Sequence, residues 1–303
     1  MIMKKCELCP RKCGVDRIAQ RGYCGQTNEI RIARAAPHMW EEPCISGKNG
    51  SGTVFFCGCT LGCVYCQNAA ISRESSVERG EIVSISELAD IFMQLQNDGV
   101  HNINLVTPTM FAPNISEAID LARSHGLTLP IVYNTGGYET SEGLSHVAHK
   151  IDIYLPDFKY VSPDTAKKHS CAEDYPQYAK ESLAYMTKKL GTAQFDKDGM
   201  MQRGIIVRHL LLPGQLAESK RVLDYLFNEY GNDVYYSLMS QYTPVAALDS
   251  AKHPELARRV TTYEYDKLVE YALALGIKNG FTQSRNAAKE SFIPEFGMGE
   301  IKQ

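Results

Sequence analysis

The 303-residue chain holds one tryptophan, Trp40, and no apolar run of membrane-spanning length, so helical membrane spans are excluded. It also lacks an excess of either charge. With 32 Lys and Arg against 35 Asp and Glu, the formal charge of -3 and pI near 6.3 give no overall attraction to nucleic acid or an anionic membrane. Repeats and low-complexity tracts are missing too. A composition that is 44% hydrophobic and 22% charged excludes disordered, collagen-like and coiled-coil classes. Met1-Ile2-Met3-Lys4-Lys5 leads into a cysteine and more charge, not an apolar stretch, so no secretory leader is expected and the expected compartment is the cytoplasm. Beyond residue 66, cysteine is reduced to Cys171 alone.

The other nine cysteines are Cys6, Cys9, Cys13, Cys24, Cys44, Cys57, Cys59, Cys63 and Cys66. A chain of this length does not need disulfides to hold its core, so thiols crowded in this way point to metal. The length itself fits one large domain with a small attachment. Residues 1–35 carry a local charge of +5 and leave -8 for the remainder. This reads as a basic, cysteine-rich head, its positive charge offsetting thiolates, in front of a larger acidic domain.

From about residue 50, short apolar runs rich in β-branched residues alternate with segments of helical period. The expected strands are 53–56, 102–106, 130–134, 151–155, 204–212 and 233–239. Ser84-x-x-Glu87 is a capping box ahead of a helix that Gly99 stops. Further helices are expected at 115–125, 140–150, through about 190, at 216–229 and at 264–275. The class is therefore α/β, a parallel sheet covered by helices, either an open doubly wound sheet or a full or partial barrel. Both arrangements put their chemistry at the carboxyl ends of the strands.

Directly after the first expected strand comes Cys57-Gly58-Cys59-Thr60-Leu61-Gly62-Cys63-Val64-Tyr65-Cys66. The spacing Cys59-x3-Cys63-x2-Cys66 sets three thiolates on one tight loop, enough to hold three irons of a cubane and leave the fourth open. Zinc fits less well, because it prefers four closed ligands or three with a histidine, and no histidine lies near in sequence.

With an aromatic residue before its last cysteine, this triplet resembles the signature of the radical S-adenosylmethionine (radical SAM) enzymes. The resemblance continues through Glu41-Glu42-Pro43-x-Ile45-Ser46-Gly47, Gly52-Thr53-Val54-Phe55-Phe56, Val106-Thr107-Pro108-Thr109, Tyr154-Leu155-Pro156-Asp157-Phe158-Lys159-Tyr160, Val207-Arg208-His209-Leu210 and Ser237-Leu238-Met239-Ser240-Gln241-Tyr242. Together with the N-terminal cysteines, these stretches look like the subgroup described as similar to pyruvate formate-lyase activating enzyme. The resemblance implies a partial (β/α)6 barrel over residues 49–303, behind a cysteine-rich module and linker at 1–48. It also implies a 4Fe-4S cluster and S-adenosylmethionine, cleaved to a 5′-deoxyadenosyl radical that abstracts hydrogen from a substrate. The substrate is either a glycyl radical enzyme or another peptide or small molecule, and the electron donor is of flavodoxin or ferredoxin type. A non-catalytic iron–sulfur or zinc regulator is the alternative of a different class.

For the cofactor, the resemblance points to strand ends. Thr107 and Thr109 stand where many relatives carry Gly-Gly-Glu. Asn134-Thr135-Gly136 resembles the family's Asp-Thr-Asn-Gly with one charge fewer for a cation site, and Asp157-x-Lys159 resembles its Asp-x-Lys. Lys159 and Arg208 are the expected carboxylate partners, and Tyr65 is expected beside the adenine. Gly136-Gly137-Tyr138-Glu139 is read as a decoy. His209 should point away from Arg208 by strand alternation. Gln241 and Tyr242 are read as contacts or packing. His38-Met39-Trp40-Glu41-Glu42 is read as a linker packed near the cluster.

Cys6-x2-Cys9-x3-Cys13-x10-Cys24 offers four thiolates for a second metal centre, zinc or an auxiliary iron–sulfur cluster. Cys44, Cys57 and Cys171 are expected to be packing residues. His125, His146, His149, His169 and His253 are expected on surface helices or loops.

Overall fold

The computed structural model describes residues 5–72 and 79–283. The start of the head through Lys4 and the end of the barrel assignment beyond 283 lie outside the described residues. Ten strands are present among them: β1 Ile30–His38, β2 Ser51–Phe56, β3 Glu81–Val83, β4 Ile103–Val106, β5 Ile131–Thr135, β6 Ile153–Pro156, β7 Gln194–Phe195, β8 Met201–Leu210, β9 Tyr235–Met239 and β10 Gly280–Thr282. The six expected strands are β2, β4, β5, β6, β8 and β9, displaced by no more than a few residues. They pair in that order and all in parallel, with β10 parallel beyond β9. Every residue of β2, β5 and β6 is buried, which explains why these strands read as near-continuous apolar runs.

The helices are α1 Pro43–Ser46, α2 Ala69–Ser72, α3 Ile85–Asn97, α4 Ala112–Ser124, α5 Ser141–Ser145, α6 Pro163–Ser170, α7 Tyr175–Leu190, α8 Leu216–Tyr230 and α9 Thr262–Leu275. The capping box before α3 forms as expected, the Ser84 hydroxyl accepting from Glu87 N–H while the Glu87 carboxylate accepts from Ser84 N–H. Behind it Leu88, Ala89, Phe92 and Leu95 bury one helix face. The expected helix at 140–150 breaks into α5 and a 3-10 turn at Ala148–Lys150. None of the described helices is long and apolar enough to cross a membrane.

The result is an α/β fold with a mostly parallel sheet whose outer strands, β10 and β3, do not pair with each other, consistent with a partial barrel. One part of the sheet was illegible as barrel. β1 lies inside the 1–48 segment yet runs antiparallel to both β2 and β3, so the boundary drawn at 48/49 cuts through a continuous sheet. Its Arg31 and Arg34 made it read as part of the basic head, although Ile30 and Ile32 alternate toward the core and are almost fully buried.

The head lies against the barrel through close backbone contacts. A Cβ on Gly143, in α5, would sit 2.0 Å from the Leu8 carbonyl oxygen, and one on Gly58 would sit 2.6 Å from the Cys24 carbonyl oxygen. Gly58 also has φ +91°, which disfavours a side chain on conformational grounds alone. Gly143→Ala is therefore expected to destabilise the fold by roughly 1–3 kcal/mol despite better helix propensity, because Leu8 has to move. Urea unfolding would measure this, and a neutral or stabilising substitution would refute the contact.

Candidate functional site

Parallel register lines up the ends of β5, β6 and β8. Asn134 pairs with Leu155 in the ladder, and just beyond β6 Asp157 bridges to Arg208. Asn134, Asp157, Lys159 and Arg208 consequently share one mouth and line a cavity of about 240 Å³. The Arg208 guanidinium donates to Asp157 Oδ1 at 2.9 Å, to Asn134 Oδ1 at 2.6 Å and to Glu41 Oε2 at 3.2 Å. Glu41 Oε1 accepts in turn from the amides of Asn104 at 3.1 Å and Asn134 at 3.3 Å. Lys159 Nζ lies 2.6 Å from Asp157 Oδ2.

These charged side chains are only 10–18% exposed, so each relies largely on its partners. Burial alone would raise the Asp157 carboxyl, but Arg208 and Lys159 outweigh it and hold the group below its ordinary value. Burial likewise works against the Lys159 ammonium, while Asp157 and the Cys63 thiol keep it charged. Glu42 is also buried, and desolvation raises it despite Arg208. Glu41 has a part that its place in a linker does not suggest. Its stretch does lie near the triplet, with His38 and Trp40 lining the same cavity, but Glu41 is a hub of the charge network rather than linker. The adjacent pair Glu41-Glu42 beside the only tryptophan was the available signal.

The triplet loop faces these strand ends. Cys63, Tyr65 and Cys66 line the cavity, and Cys59 lies beside them. Burial pushes the Cys59 thiol up, and Cys63 and Cys66 push it further by proximity, while Lys159 pulls the other way. Ser170 at the end of α6 braces the loop: its hydroxyl lies 3.0 Å from Cys63 Sγ, and its carbonyl accepts from Gly62 N–H. The Tyr65 hydroxyl bonds to Tyr160 at 2.5 Å, and its ring meets Tyr242 edge-on. Gln241 lines the cavity and its carbonyl accepts from Gln67, whereas Tyr242 is packing, its hydroxyl donating to Leu256 O.

Three expected contacts face elsewhere. Thr109 and Thr135 both donate to Glu139 Oε1, and neither they nor Thr107 line the cavity. Thr107 N–H donates to Asn134 O, with Thr107 itself at φ +52°. Glu139, in the Gly-Gly-Tyr-Glu stretch expected to be a decoy, is a buried carboxyl bound by the Thr109 and Thr135 hydroxyls. His209 turns away from Arg208 as alternation requires, bonding Phe158 O and Ser219 Oγ.

Cys6, Cys9, Cys13 and Cys24 line one small cavity together with Arg17 and Met110. Burial raises the Cys6 and Cys24 thiols, and Arg17, itself 2% exposed, acts against it without outweighing it. Burial first, then Cys24, Glu139 and Cys6, push Cys9 up to about 12. Cys44 and Cys57 are buried as expected, but Cys171 is exposed. It ends α6 in the left-handed conformation, where its side chain stays at the surface beside Gly62. His169 and His253 also depart from expectation, being buried at 0% and 9% exposure.

The family model described as the radical SAM superfamily matches residues 53–226. The chain belongs to the radical SAM superfamily. It is 28% identical over 278 residues to the uncharacterised protein MJ0674 of Methanocaldococcus jannaschii, covering 89% of this chain and 75% of that one. Among solved structures, Streptococcus suis SuiB bound to the precursor peptide SuiA has a TM-score of 0.49 at 9% identity, with 76% of this chain and 47% of SuiB covered. Methylornithine synthase, PylB, has a TM-score of 0.47 at 14% identity, with 74% and 68% covered. The chain thus spans about half the length of SuiB. As a radical SAM protein it is an enzyme of that type, and the family implies a 4Fe-4S cluster and S-adenosylmethionine. The donor set fits such a cluster: three mutually repelling thiols on one loop, with a cation beside them and a cavity in front.

Glu139, outside the cavity, gives the fold a titration signature. Burial outweighs the two threonine hydrogen bonds and pushes its carboxyl up from 4.5 to about 7. Between those values the unfolded chain has lost a proton that the folded chain keeps, so stability falls as pH rises through this window. Glu139→Gln removes the titration, so its stability relative to wild type should rise by roughly 3 kcal/mol from below pH 4.5 to above 7. Urea unfolding across that range would test it, and a pH-independent difference would reject the assignment.

Proposed function

We propose that the chain reductively cleaves S-adenosylmethionine at a 4Fe-4S cluster held by Cys59, Cys63 and Cys66, and directs the resulting radical to a protein or peptide partner. The observation that carries this reading is the convergence of the triplet loop with the part-buried charges of Asp157, Lys159, Arg208 and Glu41 around one cavity. When bound, the cluster supplies the electron that splits the sulfonium into methionine and a 5′-deoxyadenosyl radical.

The protein's own groups bind and orient. Lys159 and Arg208 present fixed cations for the cofactor carboxylate, and Asp157, Asn134 and Glu41 hold them in place and offer acceptors for its ammonium. Tyr65 closes the cavity beside the loop with its hydroxyl already satisfied by Tyr160, leaving the ring as a flat apolar wall. Trp40 lines the same cavity yet is 57% exposed. A large exposed aromatic at the mouth supports a macromolecular substrate, because such side chains anchor protein partners. A glycyl radical enzyme is the first candidate, another peptide the second, and the electron donor is of flavodoxin or ferredoxin type.

The head is proposed as a second metal centre held by Cys6, Cys9, Cys13 and Cys24, either zinc or an auxiliary iron–sulfur cluster. Its support is the single cavity shared by the four thiols and Arg17.

After anaerobic reconstitution and reduction, the chain should release 5′-deoxyadenosine from S-adenosylmethionine. Cys63→Ala should abolish the release, while Cys171→Ser should leave it within about twofold, since Cys171 is exposed and outside the triplet. A protein with a full cluster and no product would reduce the chain to a metal-binding regulator. Metal counts on the paired variant Cys6→Ala and Cys9→Ala separate the two forms of the head. A fall of about four irons per chain identifies a cubane, a fall of zinc alone identifies a structural site, and no change removes the second centre.

A further inference from the structure

His169 is far in sequence from His253 and Glu255, which lie two residues apart, but one ligand atom from each of the three lies within 4.8 Å of the other two. His169 is the last but one residue of α6, and both its ring nitrogens are buried without a hydrogen-bond partner. His253 Nδ1 is likewise buried and unpartnered. Unsatisfied imidazole nitrogens buried in one small volume are costly, and an ion that accepts one lone pair from each ring removes part of that cost. Desolvation holds His169 neutral, its value lowered to about 4, and that is the form with a lone pair to give.

The surrounding backbone is well anchored. His253 N–H donates to Asp249 O, and the short 3-10 turn Pro254–Ala257 carries Glu255. Fully buried Leu256 pins that turn from below, its carbonyl accepting from Tyr242 at 2.5 Å. Glu255 now pairs with Lys168, whose Nζ lies 2.6 Å from Oε1, and His169 Nε2 lies 3.7 Å from the same oxygen. Lys168 is about half exposed, so its ammonium can swing into solvent when another cation takes the carboxylate.

We propose that His169, His253 and Glu255 form a zinc site that fastens the segment after β9 to the last turn of α6. Two neutral imidazoles and one carboxylate are a recurring three-ligand zinc set, with water completing the tetrahedron. The position gives the site a role. The His169 carbonyl accepts from Val64 N–H at 2.9 Å, and the next residue, Ser170, contacts Cys63 Sγ. An ion held here stiffens the wall on which the triplet loop rests, without entering the cavity. Neither its ligands nor their residues belong to the cysteine sites, so the proposal stands apart from the reading of the cavity.

The test is zinc chloride titration of the full chain after cluster reconstitution, with a competing chromophoric chelator. Wild type should bind one zinc equivalent more than His253→Gln, at equal iron and sulfide content, and zinc should raise the thermal midpoint of wild type by more than that of the variant. Glu255→Gln, at the edge of the site, gives the same comparison if the histidine variant does not fold. Cobalt in the extra equivalent should show d–d absorption without thiolate charge transfer. Equal zinc uptake by wild type and a folded variant overturns the proposal. For wild type alone, zinc X-ray absorption should include nitrogen or oxygen scatterers at about 2.0–2.1 Å, and a shell of sulfur only, at about 2.3 Å, would also overturn it.

Discussion

The part-buried charge network around Arg208 is the constraint on which the mouth of the barrel depends. Ionised groups taken out of water are tolerated only when paired and hydrogen-bonded, and here two cations, two carboxylates and two side-chain amides satisfy one another. The network reaches across β4, β5, β6 and β8, and through Glu41 it includes the connection that precedes the first barrel strand. Moving any of these strand ends would leave a charge without its partner, so the geometry of the cavity is coupled to the fold itself. The same groups that face the cavity also hold the strands in register.

The triplet loop depends on a second set of contacts. Its thiols crowd together and repel negative charge, so the loop cannot set its own shape by electrostatics. Shape comes instead from α6, where Ser170 touches Cys63 and receives Gly62, and where His169 receives Val64. On the other side Gly58 lets the Cys24 carbonyl approach the loop, so the head and the loop share a boundary. The shape of the triplet loop is therefore set jointly by α6 and the cysteine-rich segment ahead of the barrel.

Much of this was readable from residues in order. The alternation of apolar β-branched runs with helical periods identified six parallel strands, because strands buried on both faces need continuous apolar sequence. The Cys59, Cys63 and Cys66 spacing was readable because a tight loop brings together residues that are close in sequence. Glu41, Glu139 and the pair of His169 with His253 were not readable in their roles. Each acquires its partners across a large separation in the chain, and none sits in a local pattern that marks it. β1 was hidden for a related reason, its arginines being attributed to the head when alternate positions face the core.

By itself, the sequence determined the fold class, the triplet and the presence of four further thiols near the start, since all three are properties of spacing and period. Only the tertiary structure decided which polar residues face the cavity. Thr109 and Thr135 turn to Glu139 and away from it, while Glu41 enters it, because parallel register and the crossing of β1 set which side chains meet. Local periodicity specifies the face of a strand, but the neighbour on that face is fixed by chain segments that the strand does not encode.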